Sequence, residues 1–247
     1  MGHRTDLSFV NIVDVESTCW REKTPPRGQI SEIIEIGIAV VEVATKQIVE
    51  TESILVKPMR SSVSSFCTEL TTITQEMVDK DGIPLNTAIG ALMHRFKSRD
   101  RVWASWGDYD RVQFQRNCQE YRIAYPFGRV HYNAKNLFSL MNGYKREFGM
   151  EEALQKAGLS LEGTHHRGGD DAKNIARLFI HTLNRPQRLF EIAGPPAQTS
   201  HGLDITCVQC KKKITEPGGL AFSPPVAGDM VRKLHFCKEC WKQWEKL

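Results

Sequence analysis

Two acids two residues apart, Asp14 and Glu16, end an apolar run that begins at Phe9. Phe9, Val10, Ile12, Val13 and Val15 are strand formers. In a strand, residues i and i+2 point to the same face, so both carboxylates face one way. Two like charges side by side are unfavourable unless a cation bridges them. Magnesium and manganese favour such hard oxygen ligands, usually one or two carboxylates with water and substrate phosphate oxygens. More acids are therefore expected elsewhere in the chain. Asp110 stands directly before Val112, Phe114 and Cys118 of a predicted helix, where unpaired amides favour an acid and where it could equally be a cap. Asp108 competes with it as the ligand. The segment Gly163 to Asp171 then brings His165, His166, Asp170 and Asp171 to the start of a late helix. His166 with Asp171 and His165 with Asp170 share one spacing, which does not separate the two pairs.

A second chemical set lies near the end. Cys207-x2-Cys210 and Cys237-x2-Cys240, separated by 26 residues, have the spacing of a four-cysteine zinc ribbon. Tetrahedral thiolate ligation closes such a site, so the zinc would be structural and would fold a segment too small for its own core. Redox-active cysteine pairs are the alternative. Lys211, Lys212 and Lys213 follow the first knuckle, and Trp241 and Trp244 follow the second; they suit nucleic-acid contact, and a protein partner equally well. Cys67 and Cys118 read as small buried apolar residues.

Positioning these groups requires a sheet with helices around it. Phe9–Cys19, Glu32–Val43 and Ile48–Val56 read as three strands joined by short connections, an antiparallel meander. Leu70–Val78 and Thr87–Lys97 have helical spacing, followed by a short strand Arg101–Ser105 and the helix after Asp110. Asn136–Phe148, Met150–Ala157 and a segment with Ile175, Leu178, Phe179 and Leu183 on one face complete the helices. Small and polar residues at 193–203 mark a linker, which gives one domain over 8–192 and a metal-binding module over 204–247.

Composition sets the outer limits. Of 247 residues, 40% are hydrophobic and 25% charged, as in a globular protein. No stretch approaches the roughly 20 apolar residues of a membrane helix, and no secretory signal opens the chain, so a cytoplasmic location without membrane contact is expected. The net charge of +4 permits nucleic-acid binding without demanding it.

The ordered series Asp14, Glu16, Asp110, His166 and Asp171 resembles the histidine-containing DEDD 3′-to-5′ exonucleases of the RNase T and proofreading-subunit superfamily. The blocks that carry the resemblance are Asp14 to Cys19, Glu32 to Gly37, Ser105 to Asp110 and Asp170 to Arg177. They are most similar to the branch of 3′ histone mRNA exonucleases and their bacterial relatives. The resemblance implies an α/β, RNase H-like fold: a mixed central sheet flanked by helices. It also implies hydrolysis of single-stranded nucleic acid, RNA ahead of DNA, from its 3′ end to nucleoside 5′-monophosphates. Two magnesium or manganese ions would be held by Asp14, which bridges both, and by Glu16, Asp110 and Asp171. His166 would be the general base, with Gly168-Gly169 allowing it to move. Ser17, Thr18 and Cys19 would neighbour the terminal nucleotide, and Asp170 would cap the helix. Trp20, Trp103, Trp106 and Phe66 could stack on a base, although core packing fits most of them better. A reading of a different class is a non-catalytic nucleic-acid or protein adaptor with a degenerate nuclease fold. Competent residues at all five catalytic positions count against it.

Overall fold

In the computed structural model the described residues are 5–22, 24–184, 217–222 and 233–237, the last two segments by their backbone. Five strands form one mixed sheet in the order β3-β2-β1-β4-β5. The strands are β1 (Asp6–Ser17), β2 (Ile33–Glu42), β3 (Gln47–Leu55), β4 (Arg101–Ser105) and β5 (His131–Asn133). β1, β2 and β3 pair antiparallel, as the meander predicts, whereas β4 and β5 add in parallel. With its flanking helices, this is the architecture implied by the sequence.

Period-two alternation on β1 decides what each face holds. Val10 and Ile12 face a core built with α5 (Ala134–Met141), α6 (Met150–Ala157) and α7 (Gly168–Leu183). Val13 and Val15 face a second core with α3 (Leu85–His94) and α4 (Tyr109–Glu120). By the same alternation Asp14 and Glu16 continue the α7 side, at the end of β1 where the apolar core stops. Cys67 and Cys118 are buried, as expected.

Four boundaries differ from expectation, each for a local reason. The helix predicted over 70–78 is two short ones, α1 (Ser65–Thr71) and α2 (Gln75–Lys80). The intervening β-branched Thr71, Thr72, Ile73 and Thr74 are poor helix formers. Thr72 turns left-handed, and Thr74 caps α2 by accepting from Met77 N. The helix expected over 136–148 is α5, which starts at Ala134 under an Asn133 cap and ends before Gly143, at φ 73°. β5 has three residues, too few for alternation to show. α4 begins at Tyr109, so Asp110 lies inside its first turn, and Asp108 occupies the position before the helix.

The tail shows one antiparallel strand pair, β6 (Pro217–Phe222) with β7 (Lys233–Cys237). The expected zinc ligands Cys207, Cys210 and Cys240 and the 193–203 linker lie outside the described residues; Cys237 is described by its backbone alone. Among the described residues no helix is long and apolar enough to cross a membrane.

Candidate active site

A cleft of about 320 Å³ opens where β1 and β4 end, lined by Asp14, Glu16, Asp110, Asp171, His165 and His166, among others. In open α/β sheets this crevice beyond the strand ends is the usual ligand position. Three separate pieces of chain supply its acids. β1 delivers Asp14 and Glu16, the first turn of α4 delivers Asp110, and the first turn of α7 delivers Asp171. Carboxylate oxygens of Asp14, Glu16 and Asp171 lie within 4.8 Å of one another. Asp110 is tied to β1 directly, since its Oδ1 accepts from Val15 N at 2.9 Å. Asp108 does not line the cleft; it pairs with Arg111 at 2.9 Å.

The electrostatics of these acids suit a cation. Burial, and after it the charges of Asp110, Asp171, Glu16 and Glu35, holds Asp14 well above the carboxylate range. Glu16 is pushed to about 8 by burial first and then by Asp171 and Glu35. Asp110 rises to about 6 through burial, opposed by the amide of Val15, and burial also raises Asp171 against the pull of His165. Burial and like charge both disfavour ionisation, and a divalent cation reverses both causes. An all-oxygen donor set of this kind fits magnesium or manganese.

The two histidines occupy different positions. His165 Nδ1 lies 3.0 Å from Asp171 Oδ2 and is committed to that carboxylate. His166 donates its backbone N–H to the same oxygen at 3.0 Å, while its ring reaches toward the cleft, with Nδ1 3.9 Å from Glu16 Oε1. Its φ of +63° is left-handed, which for a side-chain-bearing residue costs about 1–2 kcal/mol. That turn directs the main-chain N–H inward and leaves the imidazole 40% exposed. Burial and the neighbouring His165 lower the His166 pKa.

What holds this turn was not assigned from sequence. Glu35, fully buried on β2, accepts from Arg167 (Nη2 at 2.8 Å), from Gly168 N at 2.6 Å and from Ser53 Oγ at 2.6 Å. It thereby fastens the residue after His166, and the first turn of α7, to the sheet. Gly168 and Gly169 therefore act in packing rather than as a hinge. A Cβ on Gly169 would meet Ser53 Cβ at 2.8 Å, and one on Gly37 would meet Gly168 O at 1.8 Å. A lone acid amid Ile33, Ile34 and Ile36, in phase with Gly37, was the available signal for Glu35.

Several other expected positions resolve as follows. Ser17 and Cys19 line the cleft, but Thr18 does not. Its hydroxyl donates to Ile30 O and accepts from Glu32 N, bonds that fix the start of β2. Asp170 is the third residue of α7, after an Arg167 N-cap, and accepts from Thr164 N at 2.8 Å; it staples the histidine loop rather than capping the helix. Trp103 is fully buried and stacked on Phe127 at 4.1 Å. Trp106 lines the cleft and donates its indole N–H to Phe148 O, whereas Trp20 and Phe66 are not among the lining residues. Tyr109, from the block that ends in Asp110, also lines it, as do Leu70 and Met150, which no periodicity or motif distinguished from ordinary packing residues.

Comparison with known proteins agrees with this geometry. A family profile described as Exonuclease, RNase T type, matches residues 12–179. The 3′-5′ exonuclease Snipper of Drosophila melanogaster is 31% identical over 206 residues, which cover 75% of this chain and 72% of Snipper. The human 3′-5′ exoribonuclease 1 is 32% identical over 188 residues, and this chain spans about half of its length (52%). The solved nuclease domain of 3′hExo, described as a DEDDh family member bound to rAMP, superposes with a TM-score of 0.65 at 27% identity, covering 76% of this chain and 97% of that domain. With four acids and a histidine converging in the cleft of a matching fold, the chain belongs to the exonuclease family as a DEDDh-type 3′-5′ exonuclease.

Proposed function

We propose that this enzyme removes nucleotides one at a time from the 3′ end of single-stranded nucleic acid, RNA ahead of DNA, and releases nucleoside 5′-monophosphates. The observation that carries the reading is the convergence of Asp14, Glu16, Asp110 and Asp171 in one cleft with His166 beside Glu16. Asp14, Glu16, Asp110 and Asp171 would hold two magnesium or manganese ions. Bound there, such ions supply charge stabilisation for the scissile phosphate and a more acidic attacking water. The chain's own part is to bring the acids together where an ion can bind them, position the strand end and accept a proton. His166 accepts that proton as general base; its lowered pKa keeps the ring neutral, as a base must be. The preference for RNA rests on the names of the relatives, which include exoribonucleases. The tail cysteines Cys207, Cys210, Cys237 and Cys240 are proposed to hold a structural zinc, on the strength of their spacing.

Matched RNA and DNA oligonucleotides, and an RNA whose 3′-terminal residue alone is a 2′-deoxynucleotide, test the sugar preference. The reading expects RNA to shorten fastest and the first cleavage of the 2′-deoxy-ended RNA to be slowed. Equal rates on all three would leave the exonuclease and remove the RNA preference.

A further inference from the structure

Two ligand sets of different chemical character meet at Asp171. One is the all-oxygen set Asp14, Glu16 and Asp171; the other is His165, His166 and Asp171, whose ligand atoms also lie within 4.8 Å of one another. We infer that the second set is a binding site for a borderline transition ion such as Zn²⁺, and that occupancy there shuts the enzyme off. The inference rests on the proposed roles of His166 and Asp171.

The geometry is close to what such an ion needs. His165 Nδ1 and Asp171 Oδ2 are 3.0 Å apart, about the separation of two adjacent ligands whose bonds to one ion are about 2.1 Å. The two imidazoles are stacked, with centroids 3.9 Å apart and planes 21° from parallel, so the second ring stands beside the first and must turn for its in-plane lone pair to reach a shared ion. His166 has the exposure to turn its nitrogen through the remaining distance. Two imidazoles and one carboxylate, with open positions facing a cleft, suit zinc, iron or nickel, whereas carboxylates and water suit magnesium and manganese. Zinc also binds a given nitrogen and oxygen site more tightly than manganese does. The ion would replace the hydrogen bond between His165 and Asp171, with the Nδ1 proton moving to Nε2 of the same ring. No net charge is lost from the imidazole. Once coordinated, His166 has no lone pair for the proton of an attacking water, and Asp171 is drawn from the oxygen set. Zinc should therefore inhibit while magnesium is saturating.

The test uses the full chain with one equivalent of zinc already supplied, so that the tail cysteines are satisfied. Zinc is then titrated at constant excess magnesium, and two quantities are read: the rate on a single-stranded oligonucleotide and the imidazole ¹⁵N resonances of His165 and His166. Both resonances should shift together over the concentration range in which the rate falls. In His165→Asn, with each protein normalised to its own zinc-free rate, the half-inhibiting zinc concentration should rise at least about tenfold, the scale on which lost support around a metal weakens binding. Inhibition with unmoved histidine resonances, or an unchanged half-inhibiting concentration in His165→Asn, overturns the inference. A wild-type protein without nuclease activity whose histidines still titrate with zinc would defeat the proposed function and leave the site standing.

Discussion

Gly37 offers the sharpest test of how the fold aims the proposed catalytic residues. It lies opposite Asp14 in the β1–β2 register, with its Cα hydrogens toward the first turn of α7. In Gly37→Ala the new methyl would sit 1.8 Å from Gly168 O and 2.5 Å from Gly169 N, both backbone atoms that cannot rotate away. Moving that carbonyl from 1.8 Å to the 3.4 Å of ordinary contact is a retreat of about 1.6 Å. The Glu35 hydrogen bond to Gly168 N opposes the movement, so part of the strain falls on stability, about 1–3 kcal/mol as for other overpacked cores. The remainder displaces His166 and Asp171, which flank Gly168. Misplacement of about 1 Å can cost about 100-fold in rate. The expected result is a kcat reduced by about 100-fold or more in a protein that still unfolds cooperatively, with a lowered midpoint. Gly90→Ala is the control, because nothing lies within 4 Å of its added methyl and it sits inside α3. It should keep full activity and gain up to about 1 kcal/mol from helix propensity. Wild-type kcat and stability in Gly37→Ala would refute the claim that close approach of α7 to β2 sets the site.

Further expectations concern charge. Without added divalent ions, the folded state holds a proton on Glu16 up to about pH 8, whereas an unperturbed glutamate loses it near 4.5. The folded state thus binds more protons than the unfolded between those values, so stability is full below about pH 4.5 and falls as pH rises toward 8. Midpoints measured across that range should decline, and Glu16→Gln should flatten the decline; a rising midpoint would contradict the burial of these acids. Adding manganese should reverse part of the loss at high pH, since the ion selects the ionised carboxylates. Glu35→Gln leaves Arg167 without its charge partner. It should cost about 3 kcal/mol, the low end for a broken buried pair because Arg167 keeps some exposure, and should lower kcat beyond what the unfolded fraction explains. Urea unfolding with kinetics at the same temperature separates the two effects, and an unchanged kcat would limit Glu35 to a structural role.

The parts of this molecule that were legible in its sequence are those carried by local rules. Alternation along β1 placed Asp14 and Glu16 on one face, and the three-strand meander followed from β-forming runs joined by short connections. Helix periodicity found α6 and the apolar face of α7. Local rules failed where tertiary contacts decide. Asp170 reads as a cap, yet α7 starts three residues earlier, where Gly168 N donates to Glu35, and Asp170 is left to hold Thr164. The contiguous β-branched run at Thr71 to Thr74 was absorbed into one helix, although Thr74 has the cap chemistry to start a second. Leu70 and Met150 reach the cleft from α1 and α6, a juxtaposition with no trace in spacing. His165 and His166 share one sequence signal, and only three-dimensional placement shows His165 engaged with Asp171 while the His166 ring approaches Glu16.

The central claim is that the cleft acids drive metal-dependent cleavage from the 3′ end. Its most direct test is digestion of a 5′-labelled single-stranded RNA by the full chain, with and without magnesium or manganese, beside Asp14→Ala. The expected result is a ladder of products shortened stepwise from the 3′ end, dependent on the metal and absent in Asp14→Ala although that variant is folded. An intact oligonucleotide with folded wild-type protein and metal, or a ladder that persists in Asp14→Ala, would contradict the account.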